Sequence, residues 1–238
     1  MATLIHIETS TNVCSVALSQ DNKISWNREN HEGESHSVLL GKYIDELLDF
    51  VRISGISLDG VAVSCGPGSY TGLRIGVSTA KGLAYGLDLP LLSVNTLQIM
   101  TNHLLKNIHV DENTWLCPMI DARRMEVYTS FYDKNLHQTC AIQAEIIDGN
   151  SYSDLLKERK ILCFGNGAEK CKKILNHPNI EFIDHISPLA KDMIELAEKA
   201  FFNKEFQDVA YFEPFYLKEF VATTPGNKLG MMTFILNS

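Results

Sequence analysis

The stretch "CGPGSYTGLRIGVSTAKGLAYG", Cys65 to Gly86, decides how this chain is read. The apolar run "DGVAVSC" leads into Gly66-Pro67-Gly68, and a helical pattern then covers Thr71–Tyr85 until Gly86 ends it. Glycine-rich turns ahead of helices often cradle phosphate, because the first N–H groups of a helix lack partners within it. The established spacings do not fit here. A nucleophile elbow needs G-x-S-x-G, but Pro67 and Thr71 flank Ser69 at the glycine positions. A P-loop needs Gly-Lys-Ser/Thr, but Lys81 sits in mid-helix. Thr71 stands where G-x-G-x-x-G requires its third glycine. What remains is a strand-to-helix turn capped by Ser69 or Thr71. Gly66, Gly68, Ser69 and Thr71 are its candidate anion- or nucleotide-binding residues.

The helix after the turn carries more information. Gly72, Gly76, Ala80 and Ala84 recur every four residues and put the smallest side chains on one face. A glycine inside a helix costs about 1 kcal/mol relative to alanine, so such a stripe marks a close approach by another backbone. That backbone belongs either to this chain or to a partner.

Upstream, "TLIHIETS", "VCSVALS" and "DNKISWNRE" read as a meander of three strands, with a turn at Asp21-Asn22. A helix follows over Ser35–Arg52, with Leu40, Ile44, Leu47 and Val51 on one face and Gly55 as its stop. Downstream of the helix, "LPLLSV" is a strand and "NTLQIMTNHLLKN" a helix. From Asn113 a second half begins, with two strands joined at Asp121-Ala122-Arg123. It continues with a short helix at Tyr152–Glu158, the strand "RKILCFG" and the helix "AEKCKKILN". Its last helix is "SPLAKDMIELAEKAFFN", with Ser187 as N-cap and Pro188 in the first turn. The expected organisation is a first lobe over 1–110, a second over 111–224, and a tail of unknown order over 225–238.

Bulk properties exclude several classes. The net charge of −8 is no footprint for tight nucleic-acid binding by the chain alone. The six cysteines form no C-x-x-C pair, which suggests reduced thiols rather than a disulfide frame or zinc site. "MATLIHIETS" has no basic flank or long apolar run, so no signal peptide is expected. No apolar stretch approaches the ~20 residues that span a bilayer, and a cytoplasmic location is expected.

Other residues with chemical potential have plain alternatives. Glu8, with Thr9 to Thr11, could hold a cation or touch phosphate, or could simply complete a tight turn. Gly165-Asn166-Gly167 is either a short nucleotide loop or a turn. Arg123 and Arg124 either contact phosphate or form salt bridges beside a hairpin. Lys170, Lys172 and Lys173 read as a solvated helix face, and Cys65 as a buried thiol.

"IHIETSTNVCSVAL", "DGVAVSCGPGSYTGLRIGVSTAKGLAYG" and "IDARRMEVYTSFYD" closely resemble the bacterial TsaB (YeaZ) family, over roughly Thr3–Ala222. The resemblance implies an α/β fold of the actin/Hsp70-like (ASKHA, ribonuclease H-like) type, two-lobed, with mixed sheets flanked by helices. It implies a non-catalytic partner of TsaD, acting with TsaE to form N6-threonylcarbamoyladenosine at position 37 of tRNAs reading codons that begin with A. By the same resemblance tRNA is reached only through the complex, ATP or ADP belongs to the assembled complex, and the chain alone forms a homodimer. TsaD proteins carry a metal-binding His-x-x-x-His after the strand matching "LPLLSV". Aligned on Val94, this chain has Thr96 and Met100 there, so neither a metal nor a tightly bound cofactor is expected. The alternative is a nucleotide-binding ATPase, a kinase-like enzyme or a metallopeptidase-like enzyme of the same fold. No catalytic residue is assigned. The expected partner interface is Leu40, Ile44, Leu47, Gly72, Leu73, Gly76, Val77 and Ala80, since the family pairs through its first-lobe helices.

Overall fold

The computed structural model describes residues 2–33 and 35–217. The expected tail over 225–238 lies outside them.

Three antiparallel strands open the chain: β1 (Thr3–Glu8), β2 (Cys14–Gln20) and β3 (Lys23–Asn30). Asp21 and Asn22 take left-handed φ values of 52° and 63° between β2 and β3, a conformation that short Asp and Asn side chains tolerate. Helix α1 (His36–Ser54) buries Leu40, Ile44, Leu47 and Val51 as the spacing requires, and Gly55 ends it in the left-handed region. Next come β4 (Gly60–Gly66), α2 (Tyr70–Gly86), β5 (Leu91–Asn95) and α3 (Thr96–Asn107). Asn95 caps α3, its side chain accepting from the N–H groups of Leu97 and Gln98. The first sheet has the order β3-β2-β1-β4-β5, with β4 and β5 parallel to β1.

The second half contributes β6 (Thr114–Asp121), β7 (Glu126–Thr129), β8 (Gln143–Ile146), β9 (Lys160–Phe164), α4 (Ala168–Cys171), β10 (Ile180–Ile183) and α5 (Ile194–Phe202). Its sheet runs β8-β7-β6-β9-β10. β7 is antiparallel to both β6 and β8, whereas β9 and β10 run parallel to β6. Order and strand senses repeat those of the first sheet. Two mixed sheets flanked by helices, arranged alike, form the actin/Hsp70-like fold.

Helices α1 and α2 cover one face of the first sheet, packing on Ile5, Ile7, Val16, Leu18, Val61 and Val63. Each such fully buried side chain contributes about 1.5–3 kcal/mol, enough to fix which face of each helix turns inward. The other face packs Leu4, Ala62, Leu92 and Val94 against Met193 and Ala197. Helix α3 joins the sheets, with Leu97, Met100 and Leu104 in one cluster with Leu116, Ile120, Leu162 and Phe164.

Three local expectations need correction. Tyr152–Glu158 is not an α-helix; only a 3-10 turn forms, over Leu155–Lys157. "AEKCKKILN" keeps one short helix, α4, of four residues. Ser187 and Pro188 do not start the last helix, because Leu189 is extended and a 3-10 turn over Ala190–Met193 precedes α5. The reason is tertiary: the Ala190 N–H reaches the Ser15 Oγ on β2 at 2.9 Å, which ties the incoming chain to the first sheet. The division at 110/111 thus separates the two sheets, while α5 crosses back to pack on β1 and β5.

Candidate functional site

Helix α2 is seated by its own chain. The Ser69 hydroxyl caps it by accepting from the Gly72 N–H, while the Ser69 N–H donates to the Ser10 carbonyl at 2.6 Å. The Thr9 hydroxyl donates to the Gly72 carbonyl at 2.7 Å. A Cβ on Gly68 would stand 2.3 Å from the Ser10 carbonyl oxygen, one on Gly72 2.1 Å from that of Thr9, and one on Gly76 2.2 Å from the Thr9 Oγ1. The small-residue stripe exists because the β1–β2 turn lies directly on it.

That corrects the expected partner interface. Leu40, Ile44, Leu47, Gly72, Leu73, Gly76, Val77 and Ala80 are all buried within the chain's own core. A residue closed off by its own fold offers nothing to a partner. The open faces of α1 and α2 are different ones. Gly41, Gly82 and Gly86 have nothing within 4 Å of a Cβ, and Val38 (70%) and Tyr85 (84%) are strongly exposed. Ser78 also faces solvent. Beside this face a groove of about 760 Å³ runs between Lys81, Gly82 and Tyr85 on α2 and the segment Asp208–Ala210.

The glycine loop is likewise no open cradle. Gly68 abuts Ser10, and the Phe215 N–H donates to the Cys65 carbonyl at 2.7 Å, which brings the Phe215 carbonyl against Gly66. Of the four candidate anion-binding residues Gly66 is buried, Gly68 is half-buried, and Ser69 and Thr71 are exposed, with the Ser69 hydroxyl engaged by the cap. Sequence reasoning missed the covering segment, residues 203–217. It is made of turns and irregular backbone with a single isolated bridge at Gln207, so it leaves no periodicity. It is held by backbone bonds such as Gln207 N–H to the Leu91 carbonyl, and by the Lys81 ammonium donating to the carbonyls of Ala210 and Phe212, both at 3.0 Å. The ring contact between Tyr70 and Tyr216 adds to it. The single lysine of α2, set among its small residues, was the available signal.

Between the sheets several polar groups are buried. Glu8 is fully enclosed; one carboxylate oxygen accepts from the Ser10 N–H at 2.5 Å, and the other has no partner among the described residues. Burial holds this carboxyl above its ordinary range, against the lowering effect of the neighbouring Ser10 and Ser64. Thr96 and Met100 are also enclosed, and the Met100 methyl lies against Gly165. A small cavity of about 190 Å³ lies nearby, lined by Thr11, Asn12, Met100, Asn166, Ile186 and Ser187 among others. That is below the roughly 300–1,000 Å³ of drug-sized ligand sites. Among the described residues no group of three or more His, Cys, Asp or Glu side chains converges as a metal site. Burial pushes the Cys14 and Cys65 thiols up to about 11, away from the reactive thiolate.

The turn between β6 and β7 is built differently. Arg123 and Arg124 take left-handed φ values of 70° and 51°. For residues with a Cβ this costs roughly 1–2 kcal/mol each. The Lys170 ammonium holds the turn from beneath, donating to the Asp121 carboxylate and to the carbonyls of Arg124 at 2.8 Å and Glu126 at 2.7 Å. Asp121 also accepts from the Arg123 N–H, and the Asp121 N–H donates to the Asn166 side chain, each at 3.0 Å. The salt bridges expected of Arg123 and Arg124 are not formed among the described residues; both side chains are exposed. Lys170 and Lys172 form ion pairs, with Asp121 and with Glu169 and Asp184.

Comparison with known proteins adds kinship to this geometry. The family described as TsaD, tRNA N6-adenosine threonylcarbamoyltransferase, matches residues 30–225. Proteins named tRNA threonylcarbamoyladenosine biosynthesis protein TsaB, from Bacillus subtilis (strain 168) and Escherichia coli (strain K12), are 29% and 28% identical to this chain. The alignments cover 91% and 92% of it and 94% and 96% of those proteins. The solved structure titled YeaZ from Pseudomonas aeruginosa superposes with a TM-score of 0.72 at 23% identity, over 91% of this chain and 100% of the other. A second Pseudomonas aeruginosa structure, described as similar to peptidase YeaZ, gives a TM-score of 0.74 at the same identity, over 92% of this chain. At that identity the likeness bears on the fold alone.

Proposed function

The chain belongs to the TsaD family, on its TsaB (YeaZ) branch, and from that premise we propose that it is the partner subunit that supports TsaD in threonylcarbamoyladenosine formation on tRNA. The observation that carries the reading is the match to TsaB proteins over nearly their whole lengths. Enclosed Thr96 and Met100, at the positions the family resemblance assigns to the TsaD histidines, support a supporting role rather than a catalytic one.

The partner face moves with the correction above. Assembly with TsaD uses the open faces of α1 and α2: Val38 and Gly41 on one helix, Ser78, Gly82 and Tyr85 on the other. Gly82 and Gly41 carry no side chain there, so a facing helix can come close. In the absence of TsaD the same face pairs with a second copy, and TsaE joins only the assembled complex.

Reconstitution tests this reading. Purified TsaD and TsaE from the same cell, with tRNA, ATP and the threonylcarbamoyl donor, are expected to form the modified nucleoside only when this chain is added. The chain alone is expected to form none. Modification by the chain alone, or modification indifferent to its presence, would overturn the proposal.

A further inference from the structure

We infer that the β6–β7 turn is a phosphate-contact site, with Arg123 and Arg124 binding the backbone of an RNA. The inference rests on the tRNA reading above for its ligand, but its starting point is the geometry of the turn.

Among the described residues, two exposed turns place consecutive non-glycine residues in the left-handed region. The β2–β3 turn uses Asp21 and Asn22, the residue types that tolerate it. The β6–β7 turn uses two arginines, which gain nothing from that backbone. Neither guanidinium forms a salt bridge or hydrogen bond among the described residues, so the arginines are not there to hold the fold together. The burden of holding it falls on Lys170, whose three contacts fix the backbone from below while the arginines project outward. Strain kept at an exposed position, and supported by a dedicated side chain, is how chains hold functional groups in place.

The topology points the same way. The second sheet repeats the first, so the β6–β7 turn is the counterpart of the β1–β2 turn. The β1–β2 turn is buried under α2, with Thr9 and Ser10 fully enclosed. Its counterpart is open and carries two fixed positive charges. It borders the cavity between the sheets through Asn166, which bonds the Asp121 N–H and also lines that cavity. Of the neighbouring acids, Asp121 is taken up by Lys170 and Glu169, on the short helix, by Lys172, while Glu126 stands half-buried at the start of β7. Guanidinium groups bind phosphate oxygens bidentately and stay charged at any relevant pH. A phosphodiester chain is favoured over an acidic protein segment because the proposed reaction already brings a polyanion to the complex. With a net charge of −8, this contact positions the RNA and does not by itself give high affinity.

The test uses the full chain and a tRNA transcript, with affinity measured between about 50 and 200 mM monovalent salt. The variant is Arg123→Asn combined with Arg124→Gly, which removes both guanidinium groups and gives the turn residues suited to its backbone. It is expected to fold, with thermal stability equal to or above the parent. At the low end of the salt range it should bind the transcript about tenfold more weakly, and its log–log salt slope should be shallower by about 1.5, the share of two phosphate contacts. Lysine at both positions should restore most of the slope. Unchanged affinity and slope in the Asn-Gly variant overturns the inference, as does an absence of measurable binding by the parent at low salt. A variant that keeps RNA binding but no longer associates with TsaD also overturns it, and makes the turn an acidic-protein contact. The proposed function fails separately, in the reconstitution, whatever this binding assay gives.

Discussion

Substituting alanine for glycine along α2 tests whether the stripe is an internal seat. At Gly72 the new Cβ would lie 2.1 Å from the Thr9 carbonyl oxygen, where real contacts are not closer than 3.0 Å. Helix and turn must therefore part by about 0.9 Å. The obstacle is backbone and cannot rotate away. Overpacking of this kind costs about 1–3 kcal/mol. The parting also stretches the Thr9 hydroxyl bond to the Gly72 carbonyl, a further 0.5–1.5 kcal/mol or about that. Against this stands the gain of alanine over glycine in a helix, about 1 kcal/mol. The net expectation for Gly72→Ala is a loss of about 0.5–3.5 kcal/mol, or roughly 1–14 °C in Tm for a chain of this size. Gly76→Ala meets the Thr9 Oγ1, a side-chain atom able to yield, and should lose less. Gly82→Ala meets nothing within 4 Å and keeps the helix gain, so its Tm should rise by up to about 2–4 °C. Thermal unfolding followed by circular dichroism at one scan rate reads all three. The reasoning is refuted if Gly72→Ala is as stable as the parent, or if Gly82→Ala is destabilised as much as Gly72→Ala.

Three further outcomes are expected. Gly82→Leu should leave stability within about 1 kcal/mol of the parent yet sharply weaken association with TsaD in a pull-down, since added volume on the open face blocks close approach; undiminished association refutes that face. Glu8 holds its proton above the ordinary carboxyl range, so the folded chain binds more protons than the unfolded one in that window, and stability falls as pH rises through it. Glu8→Gln stays neutral and should gain on the parent in urea titrations as pH is raised from about 4 to about 8; parallel pH profiles would contradict this. Lys170→Met removes three contacts from the β6–β7 turn and should cost about 1–3 kcal/mol, with faster amide exchange confined to Asp121–Glu126; exchange unchanged in that turn would show that Lys170 does not hold it.

Local pattern carried much of this protein. The apolar spacing of Leu40, Ile44, Leu47 and Val51 gave α1 and its buried face, because a helix must turn those positions to one side. Asp21-Asn22 marked a hairpin and Gly55 a helix end, because their backbone conformations are permitted to few residues. The family motifs lie in such local segments, which is why both the kinship and the fold could be read from them. The glycine stripe announced a close approach, but a missing Cβ says only that something comes near, not whose backbone it is. Only the packed chain shows that Thr9 lies against Gly72 and Gly76 of the stripe, which turned the expected partner face inward and left Gly41 and Gly82 outside. The start of the last helix was likewise decided at a distance, by the Ala190 N–H on Ser15 across 175 positions. Arg123 and Arg124 looked like ordinary hairpin residues, since a left-handed φ and a lysine beneath the turn are properties of the folded backbone and leave no mark on the residue types themselves.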